Sequence, residues 1–321
     1  MKLKTRLNPS KMLLMISIPV LLFSCNKDND DDTPATNTIT DVVVKGAGFT
    51  TLKSAVVKAN LQTTLSGTGP FTVFAPDDAA FTASGITSTI FNSLTPAEVQ
   101  SILLYHTIGS KITAADVPAG PNAKVTTASG DSVFVTKNGS GVFTNGIKVN
   151  TADVGADNGV IHVIGRVLNP PVGNIVETAV ASKLDSLVKA VTLASTSPGG
   201  DPTLATTLST AKLTVFAPTN AAFTQLLGIL GLTNINQIPI GTLVAVLKYH
   251  VVSGRAFSSD LSNASLAMLA GGNSTVNLTN GTGGLPTILG NGNSSNKSNI
   301  TATNIVCRNG VVHLIDRVIL P

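Results

Sequence analysis

The sequence predicts an α+β fold built twice in tandem. Three blocks recur in the same order along the 321 residues. The first block of each set reads as a strand, a turn and the start of a capped helix. The last reads as an Asn-Gly turn followed by a strand that is apolar on both faces. Few charges and many Thr, Ser, Asn and Gly residues suit a fold rich in turns. At roughly 100–200 residues per domain, two domains are expected.

The N-terminus reads as an address. Met1 to Lys11 is basic, and Met12 to Phe23 is a short apolar run. It falls short of the ~20 apolar residues of a transmembrane helix and fits a secretory signal. The run ends in Leu22-Phe23-Ser24-Cys25. This segment, residues 1–25, resembles a lipoprotein signal peptide with a lipobox, in which the Cys25 thiol accepts lipid and anchors the mature chain in a membrane. Residues 26–37 are acidic and polar, with almost nothing to build a core, and are expected to form a solvated tether. Its Asp30, Asp31 and Asp32 after Lys27-Asp28 also resemble an acidic surface-export signal. Export across the inner membrane, with a lipid anchor in the outer membrane and exposure to the exterior, is the localisation this implies.

Lys2, Lys4, Arg6 and Lys11 account for the formal net charge of +4. Without them, 17 basic residues face 17 acidic ones, so the charge balance gives no footprint for nucleic acid.

The repeats then set the domain limits. Phe71 to Phe81 (FTVFAPDDAAF) returns as Leu213 to Phe223 (LTVFAPTNAAF). Tyr105-His106 returns as Tyr249-His250, and Asn158 to Pro170 (NGVIHVIGRVLNP) as Asn309 to Pro321 (NGVVHLIDRVILP). The offset drifts upward, which marks small insertions between blocks. One unit spans 38–170 and the other 171–321, joined at the stiff Pro170-Pro171. No further domain is expected after the last block.

Phe71 to Ala75 alternates as a strand does, and Pro76 ends it. Asp77-Asp78, matched by Thr219-Asn220, offers helix-capping side chains. Because the matched pair cannot titrate, capping is a better reading than paired carboxylates for acid–base work. Thr95-Pro96-Ala97-Glu98 is a capping box with Pro at the first helical position. Pro239-Ile240-Gly241-Thr242 lacks the box, so the second copy's helix is expected to start less definitely. Asn158-Gly159 and Asn309-Gly310 read as tight hairpin turns that use positive φ. Val160–Leu168 and Val311–Leu320 read as central strands of a covered sheet.

Together these blocks resemble the FAS1 domain of the fasciclin-like family, and the match extends over nearly everything after residue 40. The resemblance implies a wedge-like β-sandwich with helices packed along one side. It implies adhesion or matrix interaction, and no catalysis or cofactor.

Every histidine lies in a repeated block: His106, His162, His250 and His313. Metal binding and acid–base work both favour His. However, HExxH, a Cys–His cluster and a carboxylate recurring beside either pair are missing, so neither a metal nor a catalytic residue is expected. Asp116 and Asp260 recur after the Tyr-His pairs and suit either a His partner or a turn. His162 and His313 read as structural ties. For Tyr105-His106 and Tyr249-His250 a structural tie is the favoured reading, and the family resemblance alone gives them a binding role.

The leading functional reading is a membrane-anchored module adhering to cells, matrix, or a surface protein or polysaccharide. The alternative is capture of a soluble glycan or lipid in an uptake system. With no Trp and two Tyr, a stacking platform for sugars is not evident, whereas an apolar pocket would favour a lipid. GxSxG, P-loop and zinc spacings are absent, so no enzyme is expected. Cys307 reads as a small buried side chain. Asp131-Ser132-Val133 and Asp185-Ser186-Leu187 resemble sites of bacterial O-glycosylation.

Overall fold

A computed structural model describes residues 37–321. Cys25, the signal segment and nearly all of the tether lie outside the described residues.

The first half begins with helices α1 (Ile39–Lys45), α2 (Thr50–Lys58) and α3 (Gln62–Leu65). Strand β1 (Phe71–Pro76) follows, then α4 (Asp78–Ala83), α5 (Ser88–Ser93) and α6 (Pro96–Tyr105). The rest is strand: β2 (Thr107–Ile108), β3 (Gly120–Thr126), β4 (Ser132–Asn138), β5 (Gly141–Thr144), β6 (Ile147–Ala156) and β7 (Gly159–Ile164). The second half repeats the plan with α7 (Ile175–Ala181), α8 (Asp185–Thr196), α9 (Leu204–Thr210) and β8 (Leu213–Pro218). It continues with α10 (Asn220–Ile229), α11 (Ile240–Lys248), β9 (Val251–Ser253), β10 (Ser265–Ala267) and β11 (Asn273–Asn277). It closes with β12 (Thr287–Gly290), β13 (Ser298–Cys307) and β14 (Gly310–Ile315).

The two sheets have the same order. Strands run β2-β1-β7-β6-β5-β4-β3 in one and β9-β8-β14-β13-β12-β11-β10 in the other. The central pair, β1 with β7 or β8 with β14, is parallel, and the other pairs are antiparallel. Both central strands are buried on both faces, as their unbroken apolar character predicts. β6 and β13 carry register shifts, with Asp153 at φ 60° and Asn304 at φ 65°. Such bulges bend a strand. Val149–Ala156 and Ile300–Cys307 pair with the central strands, and the two residues before each, Ile147–Lys148 and Ser298–Asn299, pair with the outer hairpins, which opens the wedge.

Two core layers result in each domain. The helices pack on one face of the central strands through Leu52, Val56 and Phe81, or Leu187, Val191 and Phe223. The other face closes on the outer hairpins through Phe74, Val133 and Val149, or Phe216, Val276 and Ile300.

Capping follows the sequence closely. Asp77 caps α4 by accepting from the Ala80 N–H, and Thr219 does the same for Ala222. Asp78 and Asn220 reach elsewhere. Asp78 accepts from the Thr50 and Thr51 amides at the start of α2, and Asn220 accepts from Ser186 at the start of α8. The Thr95–Glu98 capping box is formed, whereas α11 starts at Pro239 without a side-chain cap.

Two expectations need correction. The Asn-Gly hairpins are present, but none of these four residues has positive φ. The glycines are needed for closeness: a Cβ on Gly159 or Gly310 would stand 2.1 Å from the carbonyl oxygen of Phe71 or Leu213. The last strands also end earlier than expected, at Ile164 and Ile315. Beyond the first of them, side chains replace the ladder: Val167 N–H donates to Ser84 Oγ and Leu168 N–H to His106 Nε2.

The two halves form one compact unit. Phe134 of β4 packs in one cluster with Phe257, Val306 and Val311. The Arg255 guanidinium lies 3.7 Å from the centre of the Phe134 ring and donates to the carbonyls of Cys307, Arg308 and Gly310. Asn122 donates to the Arg255 carbonyl and to Asp260, and Thr136 also donates to Asp260. Arg255→Ala should destabilise the protein by roughly 2–4 kcal/mol through lost stacking and carbonyl contacts. Calorimetry should show the single unfolding transition of the parent split into two. One undivided transition in the variant would show that this contact does not couple the domains.

Candidate functional site

The histidines and tyrosines of the repeated blocks are inside the protein. His106, at the end of α6, is 1% exposed and its neighbour Tyr105 is 0% exposed; His250 and Tyr249 are as deeply buried. Consecutive side chains leave the chain toward different layers. His106 Nδ1 lies 2.8 Å from the Ile102 carbonyl, and Nε2 accepts from the Leu168 N–H at 2.9 Å. His250 repeats this with the Val246 carbonyl and the Ile319 N–H. Since Nε2 accepts, Nδ1 must be the protonated nitrogen that donates. Burial pushes both imidazoles down to about 4, so they are neutral at physiological pH.

Tyr105 points between the sheet layers, where its hydroxyl donates to the Ser132 carbonyl and accepts from Asn145 Nδ2. Burial raises its hydroxyl to about 12. Tyr249 makes the equivalent bond to the Asn273 carbonyl and accepts from the Asn291 N–H. A partner approaching the surface meets none of these four side chains.

His162 and His313 hold the bulges. His162 Nε2 is 2.8 Å from the Ile112 carbonyl, and Nδ1 accepts from the Asp153 N–H at 3.3 Å. His313 bonds the Ala256 carbonyl and the Asn304 N–H in the same way, stacked against Phe216. Burial lowers His313 to about 4. Asp153 stands 3.9 Å from His162 but is matched by Asn304, so no charge pair recurs. Asp116 closes a turn on Thr113, and Asp260 closes the equivalent turn on Phe257 while accepting from the other domain. Among the described residues no group of three or more His, Cys, Asp or Glu is placed to hold a metal. Cys307 is fully buried, and Ser132 and Ser186 are half-buried.

Among the described residues, one accessible feature is a cleft at the domain junction, of about 510 Å³. Lys124 comes from β3, Lys212 from the approach to β8, Arg255 from the loop after β9, and Arg308 from the β13–β14 turn. Phe134 and Asn122 complete it on the first domain's side, and no carboxylate lines it. Lys124, Lys212 and Arg308 are exposed, and Arg308 makes one long contact, 3.7 Å, with Asp131. Such an arrangement can hold carboxylate, sulfate or phosphate groups. Its four cations come from four separate segments, so no linear pattern in the sequence marked them.

The pH dependence of stability follows from the buried imidazoles. In the unfolded chain a His takes up a proton near 6.5, whereas His106, His250 and His313 resist it down to about 4. The unfolded state therefore binds more protons in this window, and stability falls as the pH drops. Each group contributes up to about 1.4 kcal/mol per pH unit. Thermal melts should show a steep drop in Tm from pH 6.5 to 4, which His250→Gln should shallow. A flat profile would mean the rings are not held neutral.

The family model of the fasciclin domain matches residues 47–170 and again 184–321. Protein sll1483 of Synechocystis sp. is 41% identical over 142 residues, which cover 43% of this chain and 77% of that protein. Transforming growth factor-beta-induced protein ig-h3 of Sus scrofa is 34% identical over 139 residues, covering 43% of this chain and 20% of that protein. A solved FAS1 domain pair from the insect cell adhesion molecule Fasciclin I aligns at 19% identity and a TM-score of 0.38, covering 88% of this chain and 95% of that one. Fasciclin domains occur in adhesion and cell-surface proteins and form a non-enzymatic family. Matched by the family model in both of its halves, the chain belongs to the fasciclin domain family.

Proposed function

We propose that this protein is an extracytoplasmic, membrane-anchored adhesion module without catalytic activity, and that it grips acidic surface or matrix polymers through the interdomain cleft. The observation that carries this reading is the convergence of Lys124, Lys212, Arg255 and Arg308 in one open cleft. The side chains of Lys124 and Lys212 make no hydrogen bond or ion pair among the described residues and are free to meet an anion. Arg255 is already committed to carbonyl groups and to Phe134, so it stiffens the floor. A rigid junction supports polymer binding, because its cations need no ordering when the ligand arrives. The charge balance of the chain beyond its first 25 residues argues against general polyanion or nucleic-acid binding and favours a local site.

Retention of the protein on immobilised alginate should fall as salt rises, because the contacts are exposed. Lys124→Glu combined with Lys212→Glu should lower retention at least tenfold, with Tm unchanged and no binding to neutral dextran in either protein. Retention that survives the double substitution would rule out the cleft.

The Cys25 lipid anchor is part of the same reading, supported by the apolar run before it and the acidic stretch after it. Cys25→Ala should release the protein from the membrane fraction, and protease added to intact cells should degrade the parent. Continued membrane association of the variant would exclude the lipid anchor, and full protection on intact cells would exclude an outward-facing position.

A further inference from the structure

The two domains part company where α8 meets α9. In the first domain, Asn60 takes φ 55° after α2, and α3 starts at Gln62. At the matching place in the second domain, α8 continues to Thr196, and an inserted loop with Gly199 at φ 78° leads to a longer α9. An apolar pocket of about 200 Å³ lies between these helices over the sheet. Val215 and Val251 form its floor, and Val188, Val191, Ala205 and Leu208 its walls. Thr192 and Thr196 are exposed and stand at its mouth.

One atom in the wall is out of keeping. Thr192 and Thr196 each donate a hydroxyl to the carbonyl one turn back on α8, at Val188 and Thr192. Ser195, on the same helix, lines the pocket, and its Oγ is turned out of solvent reach with no hydrogen-bond partner, one χ1 rotation away from a ligand in the pocket. Buried hydroxyls are ordinarily satisfied, and an unsatisfied one costs free energy. His250 also borders the pocket, but both of its nitrogens are already engaged. No charged side chain lines it. The pocket thus offers apolar walls, one free hydroxyl and nothing to neutralise an ion.

We propose that this pocket binds the alkyl chain of an uncharged amphiphile, a fatty alcohol or acyl ester, whose oxygen bonds to Ser195 Oγ. An apolar cavity of ~150 Å³ holds one benzene, so this one takes a chain of roughly eight carbons. A carboxylate head would have to shed its water with no cation to receive it. The proposal takes up the ligand-capture alternative and is independent of polymer adhesion, because the pocket and the cleft share no lining residue.

Titration of the full chain with 1-octanol, followed by calorimetry, tests it. One saturable site is expected, with a negative heat-capacity change and a rise in Tm. Octanoate at neutral pH should bind at least tenfold more weakly. Ser195→Ala should weaken octanol binding about fivefold, as loss of one hydrogen bond does. Val188→Trp should block the pocket and abolish binding. Both variants should keep full retention on alginate, which also certifies that they fold. Absence of saturable octanol binding to the parent, octanoate binding as tight as octanol, or undiminished binding in Ser195→Ala would overturn the proposal.

Discussion

At Gly159 and Gly310 the last strand of each domain comes so near the first that a side chain would collide with a backbone oxygen. The asparagine before each glycine uses this closeness. Asn158 accepts from the Ile39 N–H and donates to the carbonyls of Leu65 and Gly67. Asn309 does the same with Ile175, Leu208 and Ala211. One side chain therefore pins the first helix, the chain end before the first strand and the last hairpin at a single point. The parallel central pair, on which both core layers rest, forms only with these three segments in register. His162 and His313 sit in that pair opposite Phe74 and Phe216, so their hold on the bulges depends on it too.

Much of this was legible in the sequence, and the reasons differ by residue. The TVFAP strand, the Thr95–Glu98 box and the Asn-Gly hairpins are local signals, governed by neighbours a few positions away. For the asparagines the local signal marks the right place and not the cause. Their propensity for turns is local, but the bonds that fix them reach about a hundred residues across the chain. The Tyr-His pairs show the same limit. A repeated polar pair marks importance in any protein, but burial and bonding partners decide whether it touches a ligand or the fold. The cleft could not be found by pattern at all, because its four cations lie on four separate segments and converge only after both domains have folded and docked.

The two copies are alike in their cores and unlike where they meet something. The helical layer of the second domain carries an insertion between α8 and α9, and the junction is built from residues that the repeat does not duplicate. Constraint on the interior is strong because every central strand is covered on both faces. Loops outside that layer are free to vary, and the pocket and the cleft both lie where they do.

The junction also sets how many domains can join. It is asymmetric: the outer hairpin of the first domain receives the loop after β9 of the second. A head-to-tail contact of this kind would propagate into an open filament if each domain offered both of its surfaces again. Neither does. The position of Phe134 is taken in the second domain by exposed Thr275, and those of Arg255 and Phe257 in the first by Lys111 and Thr113. The outward surfaces thus lack the ring and the fork that would seat a third domain, and assembly through this contact stops at two.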